Sequence, residues 1–436
     1  MTSEQARRYA LDGSVQAWPS TTGLVVVGGS PLKLFRLTPS GAGAFERVRS
    51  GEPVVASSLV DRLLDGGVIH PIADGPAPFD AEDVTIVVPT FGPPTHVPSG
   101  AVVVDDGSSP PVDGASIRLE RNRGPAAARN AGLAATTTPL VAFVDADVEL
   151  PDGWLEPLLA HFADPRVAVV APRIVTAPRP GAISAYEHTH GPLDMGPEAA
   201  RVRAGTRVSY LPAAVLVCRV EAIQELGGFD AEMRYGEDVD LVWRLDDAGW
   251  RCRYDPTVVI EHEPRPDWRA WVRQRVGYGS SAGPLAVRHP RKLAPLRMSG
   301  WSIAAWVLAA AGRPVTGAAV GVGSAAALIP KLPDVPARDA FRLAAMGNAR
   351  AGESIAHAVR RTWFPIVLVL ALRSRVARRV LLASIVAVRH PLALADDVAY
   401  CAGVWTGMLR ERTLDPIVPD ITSWPGRSAR SARRDT

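Results

Sequence analysis

The stretch that most constrains the fold of this chain is VAFVDADVEL, residues 141–150. Its apolar run, residues 141–144, ends at Asp145-Ala146-Asp147 and predicts a buried parallel strand that carries two carboxylates at its C-terminal end. Open α/β sheets bind ligands at that edge, and two carboxylates one residue apart can share a divalent cation that carries a nucleotide diphosphate. The alternative is that Asp145 only ends the strand and Asp147 caps a helix. Other stretches that point to the same edge favour the cation site.

Composition excludes several classes of protein. A chain of 436 residues allows two to three domains, and a net charge of only +3 argues against a nucleic-acid partner. Three widely spaced cysteines form no C-x-x-C pair, which fits a reduced, cytoplasmic setting. The first residues, MTSEQARRYALDGS, have no apolar core and do not predict a secretory signal.

Residues 1–75 are expected to form a small separate domain. A hairpin is predicted from the strands at residues 23–29 and 32–37. Two short helices are predicted after it, the second capped by Ser57 or Ser58. A last short strand is expected at residues 68–70. This pattern predicts a winged-helix-like module, followed by a Pro/Gly/acidic linker at residues 76–82. The pattern leaves open whether the module is a structural cap or docks a peptide.

An α/β pattern occupies residues 83–300. Strands alternate with helices, which predicts a mostly parallel sheet with right-handed crossovers. The predicted strands are residues 85–88, 101–104, 117–119, 141–144, 167–170, 208–217 and 258–261.

Residues 301–420 change character and predict a helical, membrane-associated region. The apolar blocks are residues 301–330, 363–372 and 380–388, with Arg373, Arg375, Arg378 and Arg379 between the last two. A membrane-spanning helix needs roughly 20 apolar residues, and only residues 301–330 approach that length. We expect helices that lie on or dip into the inner membrane face, one or two of them inserted, with a buried helical bundle as the alternative. Residues 421–436 are expected to be a disordered basic tail.

Two stretches near the predicted sheet edge carry candidate nucleotide ligands. Asp105 and Asp106 end a predicted strand, where a carboxylate can accept from a ribose hydroxyl or a base N–H; the sequence DDGS is equally good turn chemistry. Residues 122–132, NRGPAAARNAG, are rich in small residues, so backbone can approach a ligand closely. Arg129 in this stretch is positioned to reach a base carbonyl or a phosphate.

Two further stretches carry candidate groups for catalysis and metal binding. Glu237 and Asp238 begin a predicted helix, where acidic residues are favoured simply as capping residues. The functional interpretation is that one of them, Asp238, is the general base that deprotonates an acceptor hydroxyl. His262 follows a predicted strand and could complete a metal site with Asp147, although a lone histidine is more often structural.

Six blocks, in order, resemble the inverting GT-A glycosyltransferases of family 2: TIVVPTFG, VVVDDGSS, NRGPAAARNAG, VDAD, GGFD and GEDVDLVWR. The resemblance covers residues 83–280. It implies a Rossmann-like GT-A nucleotide-sugar-binding fold, a nucleotide-sugar donor, and Mg²⁺ or Mn²⁺. By similarity, the donor nucleotide is expected at Pro89, Thr90, Asp105, Asp106, Arg129 and Asp145. The resemblance also implies Asp147 and His262 as metal ligands and Asp238, with Glu237, as the catalytic pair.

The first 75 residues resemble PqqD-like peptide-recognition domains, and the whole arrangement resembles the glycosyltransferases of mycofactocin biosynthesis. This second resemblance implies β-1,4-linked glucose, added from UDP-glucose to premycofactocin, a peptide-derived precursor of a redox cofactor. The helical region at residues 301–420 separately predicts a location on the cytoplasmic face of the cell membrane. The Q-x-x-R-W block of processive synthases is missing: residues 271–277 read WVRQRVG, although Arg273 or Arg275 could still contact the diphosphate. The alternatives are a cell-wall, lipid or polysaccharide glycosyltransferase of family 2, and a non-catalytic nucleotide-sugar- or peptide-binding scaffold.

Overall fold

The computed structural model describes residues 6–75, 77–265 and 267–423. The chain forms two compact units, which divide between Trp271 and Val272. The division falls inside a helix.

The first unit begins with a small α+β module. In chain order its elements are β1 (Tyr9–Leu11), β2 (Gln16–Ser20), β3 (Gly23–Gly28), β4 (Lys33–Leu37), α1 (Pro39–Arg49), α2 (Ser58–Asp65) and β5 (Ile69–Pro71). Strands β2, β3 and β4 form an antiparallel sheet, and β1 pairs with β5. The expected hairpin and both helices are present, and the side chains of Thr38 and Ser57 accept from backbone N–H groups at the two helix starts.

The rest of the first unit is built on one large mixed sheet. Its strands are β6 (Val84–Thr90), β7 (Val102–Asp105), β8 (Ile117–Arg118), β9 (Leu140–Val144), β10 (Val148–Glu149), β11 (Val167–Thr176), β12 (Ala200–Arg201), β13 (Val215–Arg219) and β14 (Arg251–His262). Its helices are α3 (Pro125–Ala135), α4 (Glu156–Leu159), α5 (Ala182–His190), α6 (Val220–Glu225) and α7 (Glu237–Asp247).

The strand order is β10-β14-β11-β13-β9-β6-β7-β8, with β12 paired to β14. Strands β6 to β9 are parallel, β11 is parallel to β14, and β13 runs antiparallel to both of its neighbours. The expected GT-A-like arrangement, a mostly parallel sheet followed by a helical region, is confirmed.

The predicted strand at residues 208–217 is wrong over most of its length, because β13 begins only at Val215. Pro212 has no N–H to contribute to a ladder. The N–H of Ala213 donates to Asp238 Oδ2 at 3.1 Å instead of to a neighbouring strand. This segment is therefore held as a loop against the start of α7.

Small residues bring α3 close to the sheet. A Cβ atom on Gly132 would lie 2.2 Å from Cγ1 of Val87 on β6, so a larger residue cannot be accommodated there without moving the helix. This close approach explains the small residues of the NRGPAAARNAG block and fixes Arg129 on the buried face of α3.

Arginines of the sheet domain form ion pairs with aspartates of the module. Arg251, the first residue of β14, donates to Asp65 Oδ1 at 3.0 Å, to Asp61 Oδ1 at 3.1 Å and to Asp164 Oδ2 at 2.6 Å. Arg207 donates to Asp12 Oδ2 at 3.0 Å. Because Arg251 is buried and lies at the start of β14, the module is fixed to the strand that ends at His262.

The second unit is mostly helical. Helix α8 (Trp268–Ser280) starts in the first unit and continues into the second. The other elements are α9 (Ala282–Arg288), β15 (Arg297–Ser299), α10 (Gly300–Ala310), α11 (Pro314–Ala326), α12 (Ala337–Arg361), α13 (Phe364–Ala371), α14 (Arg375–Val386), α15 (Pro391–Glu411) and β16 (Asp420–Ser423). Helices α9 and α15 touch through glycines, since a Cβ on Gly283 would lie 2.2 Å from the Gly407 carbonyl oxygen.

The apolar stretch at residues 301–330 does not form one long helix. It breaks between α10 and α11, where Gly312 adopts φ 87° and Pro314 starts the next helix. Within the described residues no helix has both the length and the apolar character needed to cross a bilayer. Residues 421–423 of the expected tail belong to β16, and residues 424–436 lie outside the described residues.

Candidate active site

The D-x-D stretch forms the turn between β9 and β10. Strand β10 pairs with the end of β14 so that Val148 lies opposite His262. This pairing brings Asp147 Oδ1 to 3.2 Å from His262 Nε2, while Arg265 Nη1 lies 3.5 Å from Asp147 Oδ2. The local chain path thus joins two predicted ligands that are 115 residues apart and adds a cation, Arg265, that the sequence reasoning missed. Its only signal was its position three residues after His262.

The Asp147–His262 pair fits part of a divalent-metal site. A carboxylate oxygen and an imidazole nitrogen are suitable donors for a divalent cation, and both side chains converge on one point. Among residues 6–75, 77–265 and 267–423 there is no cluster of three or more His, Cys, Asp or Glu side chains arranged to hold an ion. A cation held here would therefore take its remaining ligands from phosphate oxygens and water, as Mg²⁺ commonly does.

Asp145 and Glu237 are joined by one buried arginine. Arg129 donates from Nη2 to Asp145 Oδ1 at 2.7 Å and from Nη1 to Glu237 Oε1 at 2.8 Å, and its side chain is only 4% exposed. Both terminal nitrogens thus meet protein carboxylates. This geometry favours a role for Arg129 in positioning Asp145 and Glu237 over the predicted contact with a nucleotide.

Contacts between the NRGPAAARNAG stretch and the GGFD block hold Arg129 in position. Asn130 donates from Nδ2 to the Phe229 carbonyl at 2.7 Å and accepts from the Phe229 N–H at 2.9 Å. The Phe229 ring lies 5.5 Å from the Arg129 guanidinium carbon and makes an edge contact with Phe143 on β9. Gly228 has φ 77°, and a Cβ there would lie 2.5 Å from Asn130 Oδ1. The GGFD block is therefore a support for the arginine.

The Glu237-Asp238 pair begins α7, behind Gly236 in the left-handed conformation at φ 80°. Asp238 accepts from the N–H groups of Ala213 and Val239 at 3.1 and 2.8 Å, and it is half-buried. Burial raises the pKa of Asp238 above its ordinary value. Burial, together with the charge of Asp238, raises the pKa of Glu237 to about 7 against the pull of Arg129. A partly exposed carboxylate with a raised pKa is suited to accept a proton.

The remaining predicted nucleotide ligands lie at the ends of β6 and β7. Pro89 and Thr90 are buried, and Thr90 Oγ1 donates to the Gly92 carbonyl at 2.7 Å. Asp105 accepts from the Ser108 N–H at 2.8 Å and also pairs with Arg118, while Asp106 accepts from the N–H groups of residues 123 and 124 at 2.7 and 2.8 Å. Both carboxylates are buried and accept hydrogen bonds from the backbone of the loops that follow β7. They therefore have the turn-stabilising role that the sequence DDGS also predicts.

Of the two arginines suggested as diphosphate ligands, Arg275 is buried and paired with an aspartate. Its Nε donates to Asp396 Oδ2 at 3.0 Å, and its side chain is 1% exposed within the second unit. Arg273 is exposed on the same helix.

Residues 101–226 match the model of the family described as glycosyl transferase family 2. The chain is 40% identical to a pre-mycofactocin glycosyltransferase of Mycobacterium tuberculosis, over 92% of this chain and 95% of that protein. It is 27% identical to the mouse (Mus musculus) polypeptide N-acetylgalactosaminyltransferase 6 over 34% of this chain and 27% of that enzyme. Among solved structures, a mannosyltransferase from Pyrobaculum calidifontis in complex with GDP-Man and Mn²⁺ aligns with a TM-score of 0.44 at 16% identity, covering 78% of this chain and 90% of that one.

Proposed function

Because the chain belongs to the family of the pre-mycofactocin glycosyltransferases, we propose that it transfers glucose from UDP-glucose to pre-mycofactocin with inversion and extends the product as a β-1,4-linked chain. The observation that carries the proposal is that Arg129 joins Asp145 to Glu237, the sequence neighbours of two acidic sites. One site, Asp147 with His262, suits a metal-bound diphosphate, and the other, Asp238 beside Glu237, suits a proton acceptor.

The proposed step is a single displacement. The Asp238 carboxylate takes the proton of the acceptor hydroxyl, and that oxygen forms a bond to C1 of the sugar. The bond between C1 and the phosphate oxygen breaks, and its electron pair leaves with the nucleoside diphosphate. Attack from the face opposite the leaving group inverts the configuration at C1, which needs one base and no covalent enzyme intermediate.

Asp147 and His262 would hold a bound Mg²⁺ or Mn²⁺, whose chemistry is to neutralise charge on the leaving diphosphate. Arg265, 3.5 Å from Asp147, adds a fixed positive charge on the same side of the site. Pro89, Thr90, Asp105 and Asp106 are proposed to border the nucleotide, since β6 and β7 end at the sheet edge where α/β proteins bind ligands. The exposed part of the Asp145 carboxylate, which does not contact Arg129, is proposed to bind the donor.

The module at residues 1–75 is proposed to be a PqqD-like, winged-helix-like unit that recognises the peptide part of the acceptor. Its attachment to the sheet through Arg251 and Arg207 supports this role, because a fixed module can present a substrate at a constant position.

The second unit is proposed to rest on an anionic membrane surface on the cytoplasmic side. Helix α13 and the residues around it leave large apolar side chains in solvent, with Leu372 71% exposed and Val386 at the end of α14 82% exposed. Four exposed arginines, Arg373, Arg375, Arg378 and Arg379, lie in the same segment. Apolar side chains next to arginines are typical of surfaces that bind anionic lipid headgroups. Replacing the four arginines with glutamine should abolish co-sedimentation with vesicles that contain anionic lipid; unchanged binding would refute the surface.

The test of the function is a transfer assay followed by mass spectrometry. The purified protein, Mn²⁺ and a panel of nucleotide sugars are incubated with pre-mycofactocin. Successive additions of one hexose mass from UDP-glucose alone are the expected result. Hydrolysis of the donor without transfer would favour a lipid or polysaccharide acceptor. No turnover of any donor would favour a non-catalytic scaffold.

A further inference from the structure

A row of aromatic side chains links α5 to the start of α8. The rings of His190 and Tyr186 are stacked with centroids 4.8 Å apart and planes inclined by 6°. Tyr186 makes an edge contact with Trp271 at 6.1 Å, and Trp271 lies 5.0 Å from Trp268. Tyr186 and Trp271 in the middle of the row are buried, whereas His190 is exposed and Trp268 is 48% exposed.

Both segments that carry this row connect to the strand ends at the candidate metal ligand His262. Strand β11 ends with Thr176 opposite His262, and the Ala177 N–H donates to the His262 carbonyl at 2.9 Å. His188 Nδ1 of α5 lies 3.0 Å from the Thr176 carbonyl oxygen. Helix α8 begins six residues after His262. Both helices that carry the row are therefore attached to the strand ends that carry the metal ligand.

The link between the two helices is reinforced by an ion pair. Arg179, just before α5, donates from Nε to Glu263 Oε2 at 3.1 Å, directly after His262. The buried Tyr186–Trp271 contact adds an apolar connection between the same two segments. The exposed rings at the ends of the row are thus held by rigid neighbours, which lowers the entropic cost of binding a ligand against them.

An exposed, rigidly held aromatic ring at the edge of a site fits a ligand that has an apolar face and polar rims. A hexopyranose has this character, since its ring C–H groups form a face while its hydroxyl groups point outward. We propose that the exposed ends of this row, Trp268 and His190, form acceptor subsites for the hexoses of a growing sugar chain. The proposal rests on the proposed function and adds to it, because the first transfer meets an acceptor without a hexose and later transfers meet one that carries it.

The subsite predicts that Trp268 affects elongation and leaves initiation intact. For the variant Trp268→Ala we expect the KM for a pre-mycofactocin that already carries one hexose to rise roughly tenfold, the order expected from losing one aromatic contact. The KM for pre-mycofactocin without sugar should not change. Mass spectra should show products with fewer hexoses, and Trp268→Phe should restore part of the chain length. His190→Ala tests the other end of the row and should shorten the chains in the same way.

The matched control is Trp301→Ala, which removes a tryptophan of similar exposure, 45%, from α10. Its product distribution should equal that of the wild type. An unchanged distribution in both Trp268→Ala and His190→Ala would overturn the subsite, and so would an equal loss of the first and later additions in Trp268→Ala. If the wild-type protein transfers no hexose at all, the proposed function fails before the subsite is reached, so the two failures are distinguishable.

Discussion

The variant Arg129→Met tests whether this arginine holds the two halves of the site together. It removes both charge-assisted hydrogen bonds and leaves Asp145 and Glu237 facing each other. Breaking a buried ion pair from one side costs about 3 to 5 kcal/mol. The Asp145 side chain is 30% exposed, so water can replace its lost partner and we assign it about 1 kcal/mol. The larger part belongs to Glu237, which is only 9% exposed.

The contribution of Glu237 depends on pH. Its pKa is about 7 in the folded protein, above its ordinary value of 4.5, so its ionisation lowers the free energy of unfolding as the pH rises from 4.5 to 7. Without Arg129 the pKa of Glu237 in the folded protein rises further. Above pH 7 the variant therefore continues to lose about 1.4 kcal/mol of unfolding free energy per pH unit, whereas the wild type no longer does. We therefore expect a stability loss of about 1 kcal/mol at pH 6, from Asp145 alone, and of about 2.4 kcal/mol at pH 8, where the loss over one pH unit from Glu237 is added.

Urea unfolding at pH 6, 7 and 8 measures this loss. The double variant Arg129→Met/Glu237→Gln should recover most of the stability at pH 8, since it no longer buries an unpaired charge. The exposed Arg121→Met, in the same stretch, is the matched control and should stay within about 0.5 kcal/mol of the wild type. An equal loss at pH 6 and pH 8 would refute the reasoning, because it would exclude Glu237 as the group that Arg129 stabilises.

Further variants test the remaining roles. Asp238→Asn should abolish transfer and keep UDP-glucose binding in calorimetry; equal loss of both would make Asp238 a structural residue. Asp147→Asn should raise the Mn²⁺ concentration for half-maximal donor hydrolysis at least roughly tenfold, and an unchanged titration would exclude it as a ligand. Glu237→Gln should be more stable at pH 7.5, relative to pH 5, than the wild type in urea unfolding, since it removes the carboxyl whose folded pKa is raised; a parallel pH dependence would contradict that shift. Arg251→Ala should destabilise the protein by about 2 kcal/mol and expose residues 71–82 to limited proteolysis; unchanged cleavage would mean that the module is held elsewhere.

The positions of the acidic groups were predictable from the sequence because each follows a strand or begins a helix. The run at residues 141–144 placed Asp145 and Asp147 at a sheet edge, and the structure brings Asp147 to His262 through the pairing of β10 with β14. Local pattern was sufficient there, since burial of a strand fixes where its end lies.

The partners of those groups were not predictable in the same way. Arg129 donates from its two terminal nitrogens to Asp145 and Glu237. This arrangement depends on the packing of α3 against the GGFD loop, which involves residues about 100 positions apart. The apolar residues of the loop before Val215 fit a strand pattern, but Pro212 and the hydrogen bond from the Ala213 N–H to Asp238 keep this segment out of the sheet. Arg265 and the ring contacts of Trp268 follow from the path of the chain after β14, for which periodicity contains no signal.

Strand β14 also sets a length scale for any acceptor. It runs from Arg251, which binds Asp61 and Asp65 of the module, to His262 at the candidate metal site. Residues 256–258 bulge out of its pairing with β11, so the stretch from Arg251 to His262 spans nine ladder pairs rather than twelve. At about 3.3 Å per step this is roughly 26 Å, and an extended peptide needs about eight residues to cover that distance. A peptide held near Asp61 could deliver its modified end to the catalytic carboxylates only if it is at least that long, and a shorter acceptor must reach the site without touching that part of the module.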